Sequence, residues 1–332
     1  MKRTVNTLRR RFTRLALCAL AGGLSMAQAQ AQASYPDKPI RILLGFAPGA
    51  ITDTLARTVA AQLSRSMGQP VVVENRAGAG GTLAAEAVAK AAPDGYTLLL
   101  GESGSMSINP LLMARIPYDV ERDFAPIAQA VNLPLVLVTH PGTRMQRPAD
   151  LAAFSQEGKA LNYGSAGQGT IQHLSVELFK AASRLPLNHV PYRGGAPALT
   201  DLLGGQIPLL VATVATVAAQ VKSGKAVPLV IMGRNRSPVL PDVPTLAEAG
   251  FSALEMGNPW QGFFAPAGTP PAIVNRLNAE IRKALEVPEV REKLLGAGAE
   301  IVVSAPEEFR QALRAELAIW RRAIQLGGVK PE

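Results

Sequence analysis

The chain has 332 residues, 34 Lys and Arg against 25 Asp and Glu for a formal charge of +9, 48% hydrophobic residues, one cysteine and three histidines. Six of the basic residues and no acidic one lie in the first 33 positions, so the remainder carries a formal +3 and net charge gives no support to a nucleic-acid partner. Cys18, the only thiol, lies within those first 33 positions, so the chain after them has no disulfide and no thiolate nucleophile, and His140, His173 and His189 are too far apart in sequence for a local metal motif; no metal and no cofactor are expected.

Lys2, Arg3, Arg9, Arg10, Arg11 and Arg14 precede an apolar run from Leu15 to Met26, followed by the small-residue tract AQAQAQA to Ala33. This is the pattern of a secretory signal peptide over 1–33. The run is shorter than the roughly 20 apolar residues a membrane span needs. Arg9-Arg10-Arg11-Phe12 also fits the core of a twin-arginine signal, with Leu8 where Ser or Thr is usual, so either export route is open. Leu17 before Cys18 is too bulky for a lipoprotein site. The expected product is a soluble periplasmic protein beginning near Ser34, large enough for two domains.

From Ile40 the chain alternates strand and helix patterns: IRILLGF, a helix from Ile51 to Met67, VVVEN at Val71, a helix from Thr82, and YTLLLGE at Tyr96. Ile51, Leu55, Val59, Leu63 and Met67 recur at helical spacing and mark a core face. A second set of strands follows at Leu133, Leu161, Asn188, Ile207 and Val227, with helical patterns between them. The chain returns through GFFAPAG at Gly262 to helices near Pro270 and Pro288, a short strand near Ile301, and a terminal helix striped by Phe309, Leu313, Leu317, Trp320 and Ile324. Such alternation predicts an α/β protein with parallel sheets, the second unit inserted in the first, and a ligand cleft where the chain crosses between them.

Three small-residue loops follow predicted strands at that cleft: FAPGAITD at Phe46, GESGS at Gly101, and YGSAGQGT at Tyr163. The last places Gly164, Gly167, Gly169, Ser165 and Thr170 between a strand and a helix. It reads either as a tight turn with a helix cap or as an anion cradle, in which small residues expose backbone N–H groups beneath the positive end of the helix dipole. Convergence of three such loops favours the cradle, and a carboxylate as its guest.

Enzymatic readings fail on spacing. In RAGAGGTLAAE, Gly78 and Gly80 fit a dinucleotide fingerprint but Leu83 stands at its third glycine. Ser165 lacks the glycine of a nucleophile elbow, since Tyr163 holds that place. No Gly-Lys-Ser/Thr follows any of the glycine loops, so a phosphate loop is absent too. His173, along the following helix, reads as a positioning residue.

Taken together, YPDKPIRILLGFAPGAITD, GQPVVVENRAGAGG, PDGYTLLLG, INPLL, DFAPIAQ, LNYGSAGQGT with His173, HVPYRGGAPALTDLLGGQ, LPDVPTLAEAG and FAPAGTP resemble the Bug-type periplasmic solute receptors of tripartite tricarboxylate transporters, over essentially the whole chain after the leader. The resemblance implies a two-domain periplasmic-binding-protein fold of the Venus-flytrap type II class with two crossing strands as hinge. Its domains would be 34–133 with 258–332, and 134–257. It implies no catalysis, a small carboxylate as ligand, transporter membrane subunits as partners, and a monomer.

In that family the loops matching Phe46, Ala47, Pro48, Gly49, Thr52 and Asp53, and Ser165, Ala166, Gly167, Gly169 and Thr170, grip a carboxylate. Gly101 and Ser103 complete the expected wall beside His173. Asp53 is read as a first-turn residue at the helix dipole as much as a contact. Tyr192 is read as pocket wall or domain edge, and Arg193 as ligand partner or surface residue. Ala212 stands where many members carry aspartate, so an apolar wall is expected there, with aromatic or aliphatic mono- or dicarboxylates preferred to amino acids. A receptor for a membrane sensor kinase and an exported oxidoreductase remain the rival readings.

Overall fold

The computed structural model describes residues 35–46, 48, 51–155, 160–251 and 258–330; the expected leader, Ala47, Gly49 and the segment 252–257 lie outside the described residues. The first unit is built on β1 (Ile40–Leu44), α1 (Ile51–Met67), β2 (Val71–Asn75), α2 (Thr82–Ala89) and β3 (Thr97–Glu102). The predicted stripe of α1 buries Leu55, Val59, Leu63 and Met67 against the sheet, and the helix stops at Gly68, whose φ of 71° only glycine takes without strain. β1 lies between β2 and β3, parallel to both.

β4 (Phe124–Asn132) then enters the sheet and the chain passes to the second unit. That unit is formed by β5 (Leu135–Thr139), α3 (Ala149–Ser155), β6 (Leu161–Ser165), α4 (Ile171–Ser183), β7 (Leu187–Pro191), α5 (Gly195–Leu203), β8 (Leu209–Thr213), α6 (Val214–Lys222) and β9 (Val227–Ile231). β10 (Trp260–Pro266) brings the chain back to the first sheet, followed by α7 (Pro271–Glu286), α8 (Pro288–Gly296), β11 (Glu300–Ile301) and α9 (Pro306–Leu326).

The sheets have the orders β11-β4-β10-β3-β1-β2 and β7-β6-β8-β5-β9. They are mixed rather than parallel. β10 runs antiparallel to β3 and β4, and β5 antiparallel to β8 and β9, because a strand that has just crossed from the other lobe enters its sheet from the opposite end. The two crossings are side by side: Leu133 N–H donates to Pro259 O at 2.7 Å, and Trp260 pairs with Asn132.

α9 joins both units. Phe309 and Leu313 pack in the first lobe's core with Trp260 and Phe264, whereas Trp320 and Ala323 pack in the second lobe's core with residues of β5, β6 and α4. Between them the helix buries Glu316, which accepts hydrogen bonds from Ser107 Oγ at 2.7 Å and from Trp260 Nε1.

Candidate functional site

The carboxyl ends of β1, β3, β6 and β8 face a cavity of about 440 Å³ between the two sheets, closed at the back by the crossing residues Leu133, Pro259 and Trp260. On the second lobe it is lined by Gln168, Gly169, Thr170, Ile171 and Gln172, the turn after β6 and the first turn of α4. The sequence shapes this turn locally. Gly169 has φ 71° and Gly167 φ 143°, both in the region that favours glycine. Thr170 caps α4, its Oγ1 accepting from His173 N–H at 3.4 Å and donating to Gly167 O at 2.7 Å.

Behind the turn stands a polar stack. Ser165 Oγ meets His189 Nε2 at 2.7 Å and accepts from Gly167 N–H at 3.1 Å, while Gly169 N–H donates to His173 Nδ1 at 3.1 Å. The His173 and His189 rings stack with centroids 3.8 Å apart, and Tyr163 stacks on His189. Burial holds both imidazoles down, to about 4, with Lys180 adding to the effect at His173 and the neighbouring His173 adding to it at His189. Two neutral rings therefore support the turn at neutral pH. His173 Nδ1 acts as an acceptor, and the ring fixes the turn without placing a charge beneath it. Ser165 is fully buried and has no route to a substrate.

This arrangement changes which donors face the cavity. The N–H groups of Gly167 and Gly169 are tied to Ser165 and His173, so they are not the anion grip that the glycine pattern suggested. The N–H groups of Ile171 and Gln172, in the first turn of a 13-residue helix, have no intrahelical acceptor, and both residues line the cavity. The glycines shape the turn, and the helix end leaves N–H donors without an intrahelical acceptor at the cavity wall, at the positive end of its dipole.

Of the residues singled out from sequence, Phe46, Ser103, Gly169 and Thr170 line the cavity. Ser103 Oγ also accepts from Trp260 N–H at 3.2 Å. Ser165, Ala166, Gly167 and His173 build the turn from behind; Ala166 O accepts from Gly194 N–H at 3.0 Å. Thr52 is buried and accepts from Gln261 Nε2 at 2.6 Å. Asp53 takes Arg57 Nε and Asn75 Nδ2 at 3.0 Å each, and the same Asn75 amide donates to Phe46 O, so this pair locks the β1–α1 connection instead of lining the cavity. Pro48 is exposed, and Ala47 and Gly49 lie outside the described residues.

Four placements correct the sequence reading. Gly101 is buried inside β3, where a Cβ would come 2.9 Å from Met106 and 3.0 Å from Phe264, so it is a packing glycine. Tyr192 turns away to donate its hydroxyl to Asp201 at 2.7 Å, and Arg193 is exposed; neither lines the cavity. Ala212 is 3% exposed and sits with Val136, Leu202 and Leu210 in the core behind the second sheet. Helices cover both faces of β8, so its side chains from Leu209 to Ala212 are buried and only Thr213, past that run, reaches the cavity.

Sequence reasoning passed over Gln168, Ile171 and Gln172, although the capping rule at Thr170 marks them as the helix's first turn. It also passed over Glu102, Asn109, Leu112, Met113, Trp260 and Lys330, which line the cavity as well. Glu102 follows a buried run in β3, and burial pushes its carboxyl up to about 8. Among the described residues no cluster of acids and histidines could hold a metal ion, and no helix is long and apolar enough to cross a membrane.

A family model described as the tripartite tricarboxylate transporter family receptor matches residues 55–329. The chain belongs to that family. It is 37% identical over 299 residues to protein BugT of Bordetella pertussis, covering 90% of this chain and 91% of BugT. Among solved structures, Rpa4515 of R. palustris with adipate is 33% identical with a TM-score of 0.77, over 90% of this chain and all of the other. MatC of Rhodopseudomonas palustris with bound malate is 34% identical with a TM-score of 0.72, over 87% of this chain and all of MatC. The chain is thus a Bug-type solute-binding receptor with the two-domain periplasmic-binding-protein fold, and the residues that line its cavity do so in a receptor family.

Proposed function

We propose that the protein works in the periplasm, captures a small carboxylate with one or two carboxyl groups, and delivers it to the membrane subunits of a tripartite tricarboxylate-type transporter. The observation that carries this reading is the N-terminus of α4, whose first-turn residues Ile171 and Gln172 open into a closed-backed cavity between two lobes. Backbone N–H groups and a helix dipole bind an anion without a competing buried cation, and a carboxylate offers two acceptor oxygens to them. The adipate and malate of the two R. palustris proteins are ligands of this chemistry. On this reading residues 1–33 are removed on export. The lobes 34–133 with 258–332, and 134–257, then close on the ligand as a monomer, hinged at the paired crossings beside Leu133 and Pro259.

Thermal unfolding with adipate, malate, succinate and benzoate, each beside its methyl ester, tests the reading. An acid that binds is expected to raise the melting temperature, by about 2.7 kcal/mol of stabilisation at a hundredfold excess over Kd, while its ester does not. Gly169→Val should remove the shift, because valine strains at φ 71° and its Cβ would stand 2.8 Å from Leu112. Esters that stabilise as well as acids would sink the carboxylate assignment.

A further inference from the structure

The first lobe places one acid in the cavity wall. Glu102 ends β3, its backbone registered against Gln261 of β10, and its carboxyl lies over Gly104, where a Cβ would come 2.9 Å from Oε1. The side chain is half-buried, and among the described residues no hydrogen bond or ion pair reaches its carboxyl. Other acids around the cleft have partners: Asp53 has Arg57 and Asn75, Glu177 has Tyr163 and Lys180, and Glu316 has Ser107 and Trp260 on its Oε2. The only other titratable group among the described lining residues is Lys330, exposed and not paired with Glu102.

An unpaired carboxyl facing an anion site repels a purely anionic ligand whenever it is ionised. Closing the lobes strips water from Glu102 and brings the ligand's negative charge toward it, so that against a purely anionic ligand it must keep its proton and can offer only that one donor. A ligand that carries a hydrogen-bond donor beside its carboxylate removes the conflict. Its carboxylate takes the N-terminus of α4 on one lobe and its donor takes Glu102 on the other.

We infer that the cleft selects carboxylates bearing an amine, and that Glu102 is the specificity-determining residue that receives the ammonium. The inference rests on the proposed carboxylate site and narrows its ligand class. It also reverses the expectation from Ala212, which fails because that residue lies in the core and not in the pocket. Burial alone accounts for the elevated proton affinity of Glu102, so pairing with an ammonium must bring its pKa down and release the proton it holds in the empty cleft.

Titration calorimetry on matched pairs, succinate with aspartate, adipate with 2-aminoadipate and hydrocinnamate with phenylalanine, at pH 7 in phosphate and in Tris, tests this. The tightest-binding pair is expected to favour its amine member on the order of 30-fold. That member should release roughly one proton per ligand, read from the difference in heat between the two buffers. Glu102→Gln, close to isosteric, should abolish the release and shrink the preference to within about threefold. Equal or tighter binding of the plain acid, or an amine preference that survives Glu102→Gln, overturns the inference and leaves the carboxylate site standing. Proton release can be read on the unaltered protein, so a variant that misfolds does not remove the test; amine binding without release also overturns it. If no acid of either kind binds, the receptor's carboxylate reading falls and this inference with it.

Discussion

Glu102 and Glu316 meet the same physical problem and are handled in opposite ways. Both are desolvated, and burial raises the proton affinity of both. Both are linked to Trp260, which lines the cavity alongside Glu102 and donates its indole N–H to Glu316. Glu316, at the junction of the lobes, is given donors from Ser107 and Trp260, and these pull its proton affinity back down. Glu102, on the cleft wall, is given none among the described residues. Two donors on a single oxygen, Oε2, tie Glu316 into the frame although its Oε1 stays without a partner among the described residues, whereas the carboxyl at the cavity wall has no donor on either oxygen.

A third carboxyl, placed where neither donors nor solvent exist, gives the largest effect. Ala212→Asp would put an ionisable group among Val136, Leu202 and Leu210, and should cost about 4 kcal/mol or more, a large share of the roughly 5–15 kcal/mol that holds a typical protein folded. Urea unfolding followed by circular dichroism measures it. A folded variant losing less than about 1 kcal/mol would mean that position 212 looks into the cleft after all.

Removing the donor-rich carboxyl comes next. Glu316→Ala leaves the Trp260 indole N–H and the Ser107 hydroxyl buried without their acceptor and should cost about 3 kcal/mol; Glu316→Gln, which keeps an acceptor oxygen, should cost less. The protein's two tryptophans, Trp260 and Trp320, both pack near this junction in different lobes, so their fluorescence reports the loss directly. An alanine variant as stable as the parent would mean that the junction is held by the apolar contacts of α9 alone.

The same contrast explains what the sequence could and could not disclose. The first βαβαβ run was legible because alternation and the Ile51 to Met67 stripe express burial directly. β4 was not read as a strand because Pro126 breaks the pattern of a central strand; the structure accommodates it at a register shift opposite Phe263 and Phe264. In α9 the apolar letters pointed to Leu317 and Ile324, but the buried face runs Phe309, Leu313, Glu316, Trp320 and Ala323. Counting apolar residues skips an acid that is buried through its partners, and the helix period cannot say which lobe covers which turn. At the cradle, the glycines were recognised, but their N–H groups are taken up within the turn, while the cavity is lined by Ile171 and Gln172. That distinction depends on His173 and Ser165, whose contacts are tertiary.

The effect that isolates the open carboxyl is a pH dependence. With its folded pKa raised from 4.5 to about 8, Glu102 keeps its proton in the folded state where the unfolded chain has lost it. The folded protein then binds more protons across that interval, and the stability Glu102 contributes is full below about pH 4.5 and lost as pH rises toward 8. His173 and His189 act in the opposite sense. Their pKa values are depressed to about 4, so their contribution is lost as pH falls from 6.5 toward that value, and a profile of the parent alone would mix the two. The difference between parent and Glu102→Gln cancels the histidines. Urea midpoints taken from pH 5 to pH 8 should show the variant gaining on the parent steadily, and ending the more stable of the two in the absence of ligand. A gap that stays constant over that range would show Glu102 ionised throughout, as an ordinary hydrated acid. The contrast with Glu316 would then be one of exposure and not of an unmet partner.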